Sequence, residues 1–333
     1  MVIKALVVLA ALFTIALVGA GGGLIWAHLE LAGLDPPLPE AAELENLRSA
    51  ADPPVRLWWW NTSSQAAPRG MALDRGSDPG GGPWVLSHPA FVLEWADGRR
   101  LLIDAGMTPA AAERFGAPIV QAGGTPPVVR KSLAERLGGA AGQLGGVLFS
   151  HLHTDHVEGL GDVCRARAGA SLPVFQTPNQ RDLTNYTTRA GREMLDAAGC
   201  GRPQELSADA LASIPGFSGV GVVAAAGHTP GSQILLAVLG GGTERRLLVL
   251  TGDVANHVDG IRLGVPKPVL YRSLMVPESE GRLRRLREWL AGLEREGATL
   301  LVPHDGLHLE SLALAELPVP PPRDPSAPAL RVP

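Results

Sequence analysis

Apolar and polar positions divide the 333-residue chain into three stretches of different character. Residues 5–27, ALVVLAALFTIALVGAGGGLIWA, carry no charge. That length is enough for a helix to cross a hydrocarbon core of roughly 30 Å. Residues 55–316 alternate short apolar runs with turn-forming clusters, the pattern of a domain built on buried strands. Leu317 to Pro333 holds seven prolines and can form neither a helix nor a central strand, so it reads as a surface tail. Between the first two stretches, residues 28–54 read as a linker in which Pro36 to Arg48 forms a short acidic helix.

Within the domain, Val55 to Trp60 opens as a strand whose Trp58, Trp59 and Trp60 pack against a sheet. Asn61 to Pro83 is rich in Gly, Pro and Ser and too long for a simple connection, so a mobile loop or lid is expected there. Trp84 to Trp95 and Arg99 to Asp104 flank Asp97-Gly98, a hairpin signal because Gly accepts positive φ. Helical spacing is found in Val128 to Leu137 and Thr187 to Ala198, each stopped by a glycine, and in Arg282 to Glu296. In that last helix Leu283, Leu286, Leu290 and Leu293 form one stripe, and the arginines are expected mostly in solvent. Val254 to Met275 is a second long loop.

Composition changes this picture little. A chain that is 45% hydrophobic with a net charge of −4 can bury one large core or two small ones, and it offers no basic surface for nucleic acid. Lys4 precedes the apolar stretch and acidic residues follow it, which puts the N-terminus in the cytoplasm and the domain on the periplasmic or extracellular side. The stretch reads as an uncleaved anchor, with cleavage behind Val18-Gly19-Ala20 as the alternative. Cys164 and Cys200 are the only thiols, and either a disulfide or two separate buried cysteines is compatible with their spacing.

The chemistry is concentrated in GVLFSHLHTDHVEGL, residues 146–160. An apolar strand ends there in three histidines and an aspartate. His151 and His153 are two apart, so in an extended segment both rings reach one cation; Asp155 and His156, where a helix should begin, suit a second. Other strand ends supply more ligand types: His228 in GHTPGS, Asp253 in TGD and His304 in PHD.

With Leu102-Ile103-Asp104-Ala105-Gly106 ahead of them, these ordered motifs resemble the metallo-β-lactamase fold superfamily of binuclear hydrolases over residues 84–308. The resemblance implies an α/β fold, a four-layer αββα sandwich of two mixed sheets flanked by helices. It implies one cation on His151, His153 and His228, a second on Asp155, His156 and His304, and Asp253 bridging them. Such ligands suit two zinc ions, with iron, manganese or cobalt also compatible. A hydroxide between the cations would be the nucleophile, with Asp155 in the catalytic centre and Asp104 orienting a ligand. His88, His257 and His308 lie outside the motifs and read as core or surface residues, so replacing His88 is expected to leave metals and activity untouched.

The motif layout is similar to that of lactonases, which carry a catalytic tyrosine three residues after the bridging aspartate. Asn256 stands there, and Tyr271 is the candidate replacement. A small neutral or singly charged ester or lactone is the expected substrate. Phosphodiester or thioester hydrolysis and a non-catalytic metal-binding periplasmic domain are the alternatives.

Overall fold

The computed structural model describes residues 21–240 and 245–318. Most of the expected anchor and the proline-rich tail therefore lie outside the described residues. Among the described residues no helix is long and apolar enough to cross a membrane; a helix over 21–32 is present.

Among the described residues thirteen strands form two mixed sheets. They are β1 (Arg56–Ala67), β2 (Trp84–Glu94), β3 (Arg100–Ile103), β4 (Val128–Val129), β5 (Leu144–Leu148), β6 (Leu172–Gln176) and β7 (Gly201–Glu205). After these come β8 (Ala212–Ser213), β9 (Val220–Ala224), β10 (Gln233–Leu239), β11 (Arg246–Leu250), β12 (Thr299–Leu301) and β13 (Ala315–Glu316). The first sheet runs β13-β1-β2-β3-β5-β6-β7 with β4 on β1, and the second runs β12-β11-β10-β9-β8.

Alternation along the strands builds the layers. Leu101 and Ile103 of β3 face inward with Phe91, Leu148 and Phe175, against Leu235, Ala237, Leu248 and Leu250 of the second sheet. Leu102, Val147 and Val174 face the other way, onto Leu160, Val163 and Leu195 of the outer helices. On the far side Ile234, Leu236 and Val249 meet the stripe of Leu283, Leu286, Leu290 and Leu293 on the helix Glu280–Arg295. Strands apolar on both faces are what two covered sheets require. The expected four layers are thus present.

Several local expectations are corrected. Asn61 to Pro83 is no free loop: β1 continues through Ala67, with a register shift between Asn61 and Ser64 where it pairs with β2. Beyond it Arg69 grips Asp78 with two hydrogen bonds of 2.8 and 3.0 Å and Asp259 with one of 2.8 Å, so the segment is pinned to the helix Val258–Arg262. Val254 to Met275 likewise contains that helix and a π-helical turn, Tyr271–Met275. Val128 to Leu137 is split. Val128 and Val129 pair with Ser63 and Ser64, and the helix starts only at Leu133, where Ser132 and Glu135 form a capping box. Arg287 is buried rather than solvated and pairs with Glu280, while the buried Arg282 reaches Asp35 at 2.9 Å. In the segment read as a linker, the helix Ala41–Arg48 packs Leu44 into the outer layer.

Cys164 and Cys200 form a disulfide across 36 residues, tying the helix Leu160–Ala166 to the start of β7. Closing a loop of that size restricts the unfolded chain by about 4 kcal/mol. We expect reduction, or Cys200→Ser, to lower unfolding free energy by about 2–4 kcal/mol in urea titrations. An unchanged midpoint and slope under reductant would count against the bond.

Candidate metal centre

The candidate ligands arrive at one edge of the sandwich because each follows a strand. Asp104 follows β3, His151 and His153 follow β5, and Asp155 and His156 lie in the helical turn Thr154–Val157. From the second sheet, His228 occupies the β9–β10 turn, Asp253 the 3₁₀ turn after β11, and His304 the segment after β12. The β9–β10 turn must lie close to the first sheet: a Cβ on Gly231 would come within 2.5 Å of Gln180 Cα, so only glycine fits. Gln180 in turn donates to Phe149 O and Gly231 O, both at 2.9 Å, joining the two ligand-bearing segments.

The donor atoms include two groups that share a residue. His151, His153, His228 and Asp253 form one, and His156, Asp253 and His304 another, with Asp253 common to both. In the first, His151 Nε2 lies 3.0 Å from His153 Nδ1, His228 Nε2 lies 3.2 Å from that same nitrogen, and His228 Nε2 lies 3.4 Å from Asp253 Oδ2. In the second, His304 Nε2 is 3.3 Å from His156 Nε2, 3.1 Å from Asp253 Oδ2 and 3.5 Å from Asp155 Oδ2. Tetrahedral ligands with bonds of about 2.0–2.2 Å have edges of roughly 3.3–3.6 Å, so the spacing suits two cations. Asp253 Oδ1 is buried without a hydrogen-bond partner, as fits an oxygen available for coordination.

Every one of these rings is fixed through its other nitrogen. His151 Nδ1 donates to Ser150 Oγ (3.2 Å), His153 Nε2 to Thr187 Oγ1 (3.1 Å), and His156 Nδ1 to Asp104 Oδ2 (2.9 Å). His228 Nδ1 donates to Glu278 Oε1 (2.6 Å) and His304 Nδ1 to the Ser87 carbonyl (2.8 Å). Such outer partners set both tautomer and ring orientation.

Charge at the centre is balanced to receive cations. Burial pushes the pKa of His153 down to about 3 and that of His151 well below the ordinary range, leaving neutral imidazoles. Burial would depress His156 too, but the carboxylates of Asp104 and Asp155 outweigh it and raise its pKa to about 10. Asp253 is held well below the carboxylate range: burial opposes ionisation, and the facing His304 and His151 prevail. Three carboxylates thus demand positive charge, which cations supply and protons on the histidines otherwise must.

Two members of this network had no signal in the sequence. Lys267 is buried, donating to Glu278 Oε1 at 2.7 Å and to the Asp253 carbonyl at 2.6 Å. Glu278, fully buried, is held ionised by Lys267 and His228 against the cost of desolvation. An isolated acid and a lone lysine 11 residues apart belong to no ligand motif. His88, expected only as a core or surface residue, is buried and turned into the site, where it forms a third group with Asp155 and His304. His308 is a core residue donating to Leu300 O at 2.9 Å, and His257 accepts from Arg69 at 2.9 Å away from the ligands.

Comparison with known proteins agrees with this geometry. Residues 83–173 match the family model described as the metallo-beta-lactamase superfamily. The chain has the metallo-β-lactamase fold, and residues 83–173 carry that superfamily's sequence pattern. Its fold is similar to a quorum-quenching N-acyl homoserine lactone lactonase, with a TM-score of 0.56 and 16% identity over 78% of this chain and 95% of that one. It is also similar to a B. thuringiensis AiiA mutant with N-decanoyl-L-homoserine bound at its active site (TM-score 0.55, 17% identity, 78% of this chain and 96% of that chain). A probable metal-dependent hydrolase from Staphylococcus aureus gives 0.53 at 15% identity, over 76% and 90% of the two chains. No curated protein matches the sequence.

We expect two transition-metal ions per chain at saturation and at most one in Asp253→Ala, by elemental analysis. Glu278→Gln should weaken metal binding roughly 10–100-fold in chelator competition. A wild-type protein saturating at one ion would overturn the paired arrangement.

Proposed function

We propose that the protein hydrolyses a neutral or singly charged ester or lactone that bears an apolar acyl chain. The observation that carries this reading is a cavity of about 770 Å³ with His153, Asp155, Asp253 and His304 at its polar end. Its walls include Met71, Phe115, Ile119, Leu270, Met275 and Val276, and no lysine or arginine lines it among the described residues. Apolar walls stabilise a buried acyl chain by about 0.8 kcal/mol per methylene, whereas a phosphodiester or nucleotide would find no cationic side chain to meet its charge. The ligand bound in the B. thuringiensis AiiA mutant, a decanoyl homoserine, has this division into a long apolar tail and a polar head.

In this reading His151, His153 and His228 hold one cation, Asp155, His156 and His304 the other, and Asp253 bridges. Zinc fits these nitrogen and oxygen donors. A bound cation pair supplies Lewis acidity and lowers the pKa of coordinated water from 15.7 towards about 7. The chain's own residues do the rest. Ser150, Thr187, Asp104, Glu278 and the Ser87 carbonyl hold the ligand rings in one orientation, and the apolar wall lies beside them. Tyr271 lines the same cavity; its partial burial, with Glu278, Asp253 and Asp155 nearby, raises the phenol pKa above its ordinary value. The hydroxyl therefore keeps its proton at neutral pH and is suited to donate to oxygen that gains charge as the acyl bond breaks.

Lengthening the acyl chain of an ester or lactone series should raise kcat/KM by up to about fourfold per methylene until the cavity is filled. Ile119→Trp should move that limit to shorter chains with both metals retained. Faster turnover of phosphodiesters than of carboxylic esters would refute the substrate class. Tyr271→Phe should lower kcat and kcat/KM together, and unchanged kinetics would remove Tyr271 from the reaction.

A further inference from the structure

His88 resembles the ligand histidines in every respect but one. It is buried, its Nδ1 lies 3.0 Å from Ser63 Oγ, and its Nε2 points at Asp155 Oδ2, 3.7 Å away, with no hydrogen-bond partner. The ring centroid is 5.4 Å from that of His304. The backbone builds this position deliberately. β1 carries its register shift between Asn61 and Ser64, opposite Ser87 to Pro89 of β2, and such irregularities re-aim side chains beside active sites. The residues at the shift then hold His88 from three sides: Asn61 Oδ1 accepts from its amide at 3.0 Å, Thr62 Oγ1 donates to its carbonyl at 2.8 Å, and Ser63 meets the ring.

The difference lies in where the hydroxyl hydrogens go. Ser150 Oγ donates to Asp104 Oδ2 at 2.8 Å, and Thr187 Oγ1 donates to Asn185 Oδ1 at 2.7 Å. Each hydroxyl has given its hydrogen away, so it accepts from the ring of His151 or His153, and the opposite ring nitrogen is free to bind a cation. Ser63 Oγ is buried, and among the described residues its single partner is His88 Nδ1. A buried hydroxyl that accepted there would leave its own hydrogen unpaired, which is costly. Ser63 therefore donates to Nδ1, and in a neutral imidazole the ring hydrogen then sits on Nε2. A lone pair at Nε2 would face the lone pairs of a carboxylate; an N–H there is attracted to it.

We propose that His88 is a positioning residue rather than an eighth metal ligand: as the Nε2–H tautomer it donates to the Asp155 carboxylate and fixes the oxygen that Asp155 presents to the second cation. The present 3.7 Å separation is longer than a hydrogen bond, which closes at about 2.9 Å, so a small inward movement of the two side chains completes it. This assignment rests on the two-cation reading of the centre, but the tautomer itself does not require metal.

The test is a long-range ¹H–¹⁵N spectrum of the full-length chain labelled at histidine, metal-free and zinc-loaded, together with zinc affinities from chelator competition. A protonated Nε2 and unprotonated Nδ1 at His88 in both states is the expected result. A protonated Nδ1, with Nε2 shifted on zinc loading as the ligand histidines shift, would make His88 a ligand and overturn the proposal. His88→Ala should weaken the second zinc roughly 10–100-fold, and His88→Gln, which retains an N–H, should recover most of that loss. Wild-type affinity in His88→Ala would equally overturn the positioning role. Failure of wild-type protein to bind two ions would instead strike the two-cation reading and leave the metal-free tautomer measurement standing.

Discussion

The candidate centre depends first on the carboxylate of Asp104. One oxygen accepts from the Ser150 amide at 2.7 Å, and the other accepts from Ser150 Oγ at 2.8 Å and His156 Nδ1 at 2.9 Å. A single side chain thus locks the end of β3 to the segment that carries four of the seven candidate ligands. Reaching this position places the Asp104 backbone at φ 54, in the left-handed region. That conformation costs an ordinary residue roughly 1–2 kcal/mol, and aspartate tolerates it better than most. Hydrogen bonds to a charged group contribute about 1.5–3 kcal/mol each, so three of them outweigh the strain.

A second network supports the other group of candidate ligands. Lys267, Glu278 and His228 form a buried chain in which the lysine neutralises the acid and the acid receives the imidazole hydrogen. Removing one member of a buried ion pair costs about 3–5 kcal/mol because the other charge is stranded. Lys267 also donates to the Asp253 carbonyl, so one ammonium group ties the acid behind His228 to the backbone of Asp253. The two networks meet only at the centre, which explains how a site assembled from separate turns keeps donor spacings near 3.0–3.5 Å.

Much of this was legible in the sequence because strand ends announce themselves. An apolar run that stops at His, Asp or a Gly-flanked acid places a ligand at a sheet edge, and the order of five such stops carried the family resemblance that implied the four-layer sandwich. Residues whose role depends on contacts far along the chain were not legible. Glu278 reaches His228 across 50 residues and Ser63 reaches His88 across 25, neither within a motif. Loop boundaries failed for a related reason. Asn61 to Ala67 is polar enough to suggest a connection, yet it forms strand because β2 offers it an edge, and Asn61, Thr62, Ser63 and Gln65 are buried there. Cys164 and Cys200 could be paired only once the helix and β7 were seen side by side.

The distribution of ligands between the sheets has a consequence for biogenesis. His151, His153, Asp155 and His156 come from the first sheet, while His228, Asp253 and His304 come from the second. Neither sheet alone can offer a cation a complete set of protein donors. During synthesis the centre therefore cannot close until β12 has emerged and docked beside β11. An ion captured there would act as a rivet through both sheets, adding to stability by mass action.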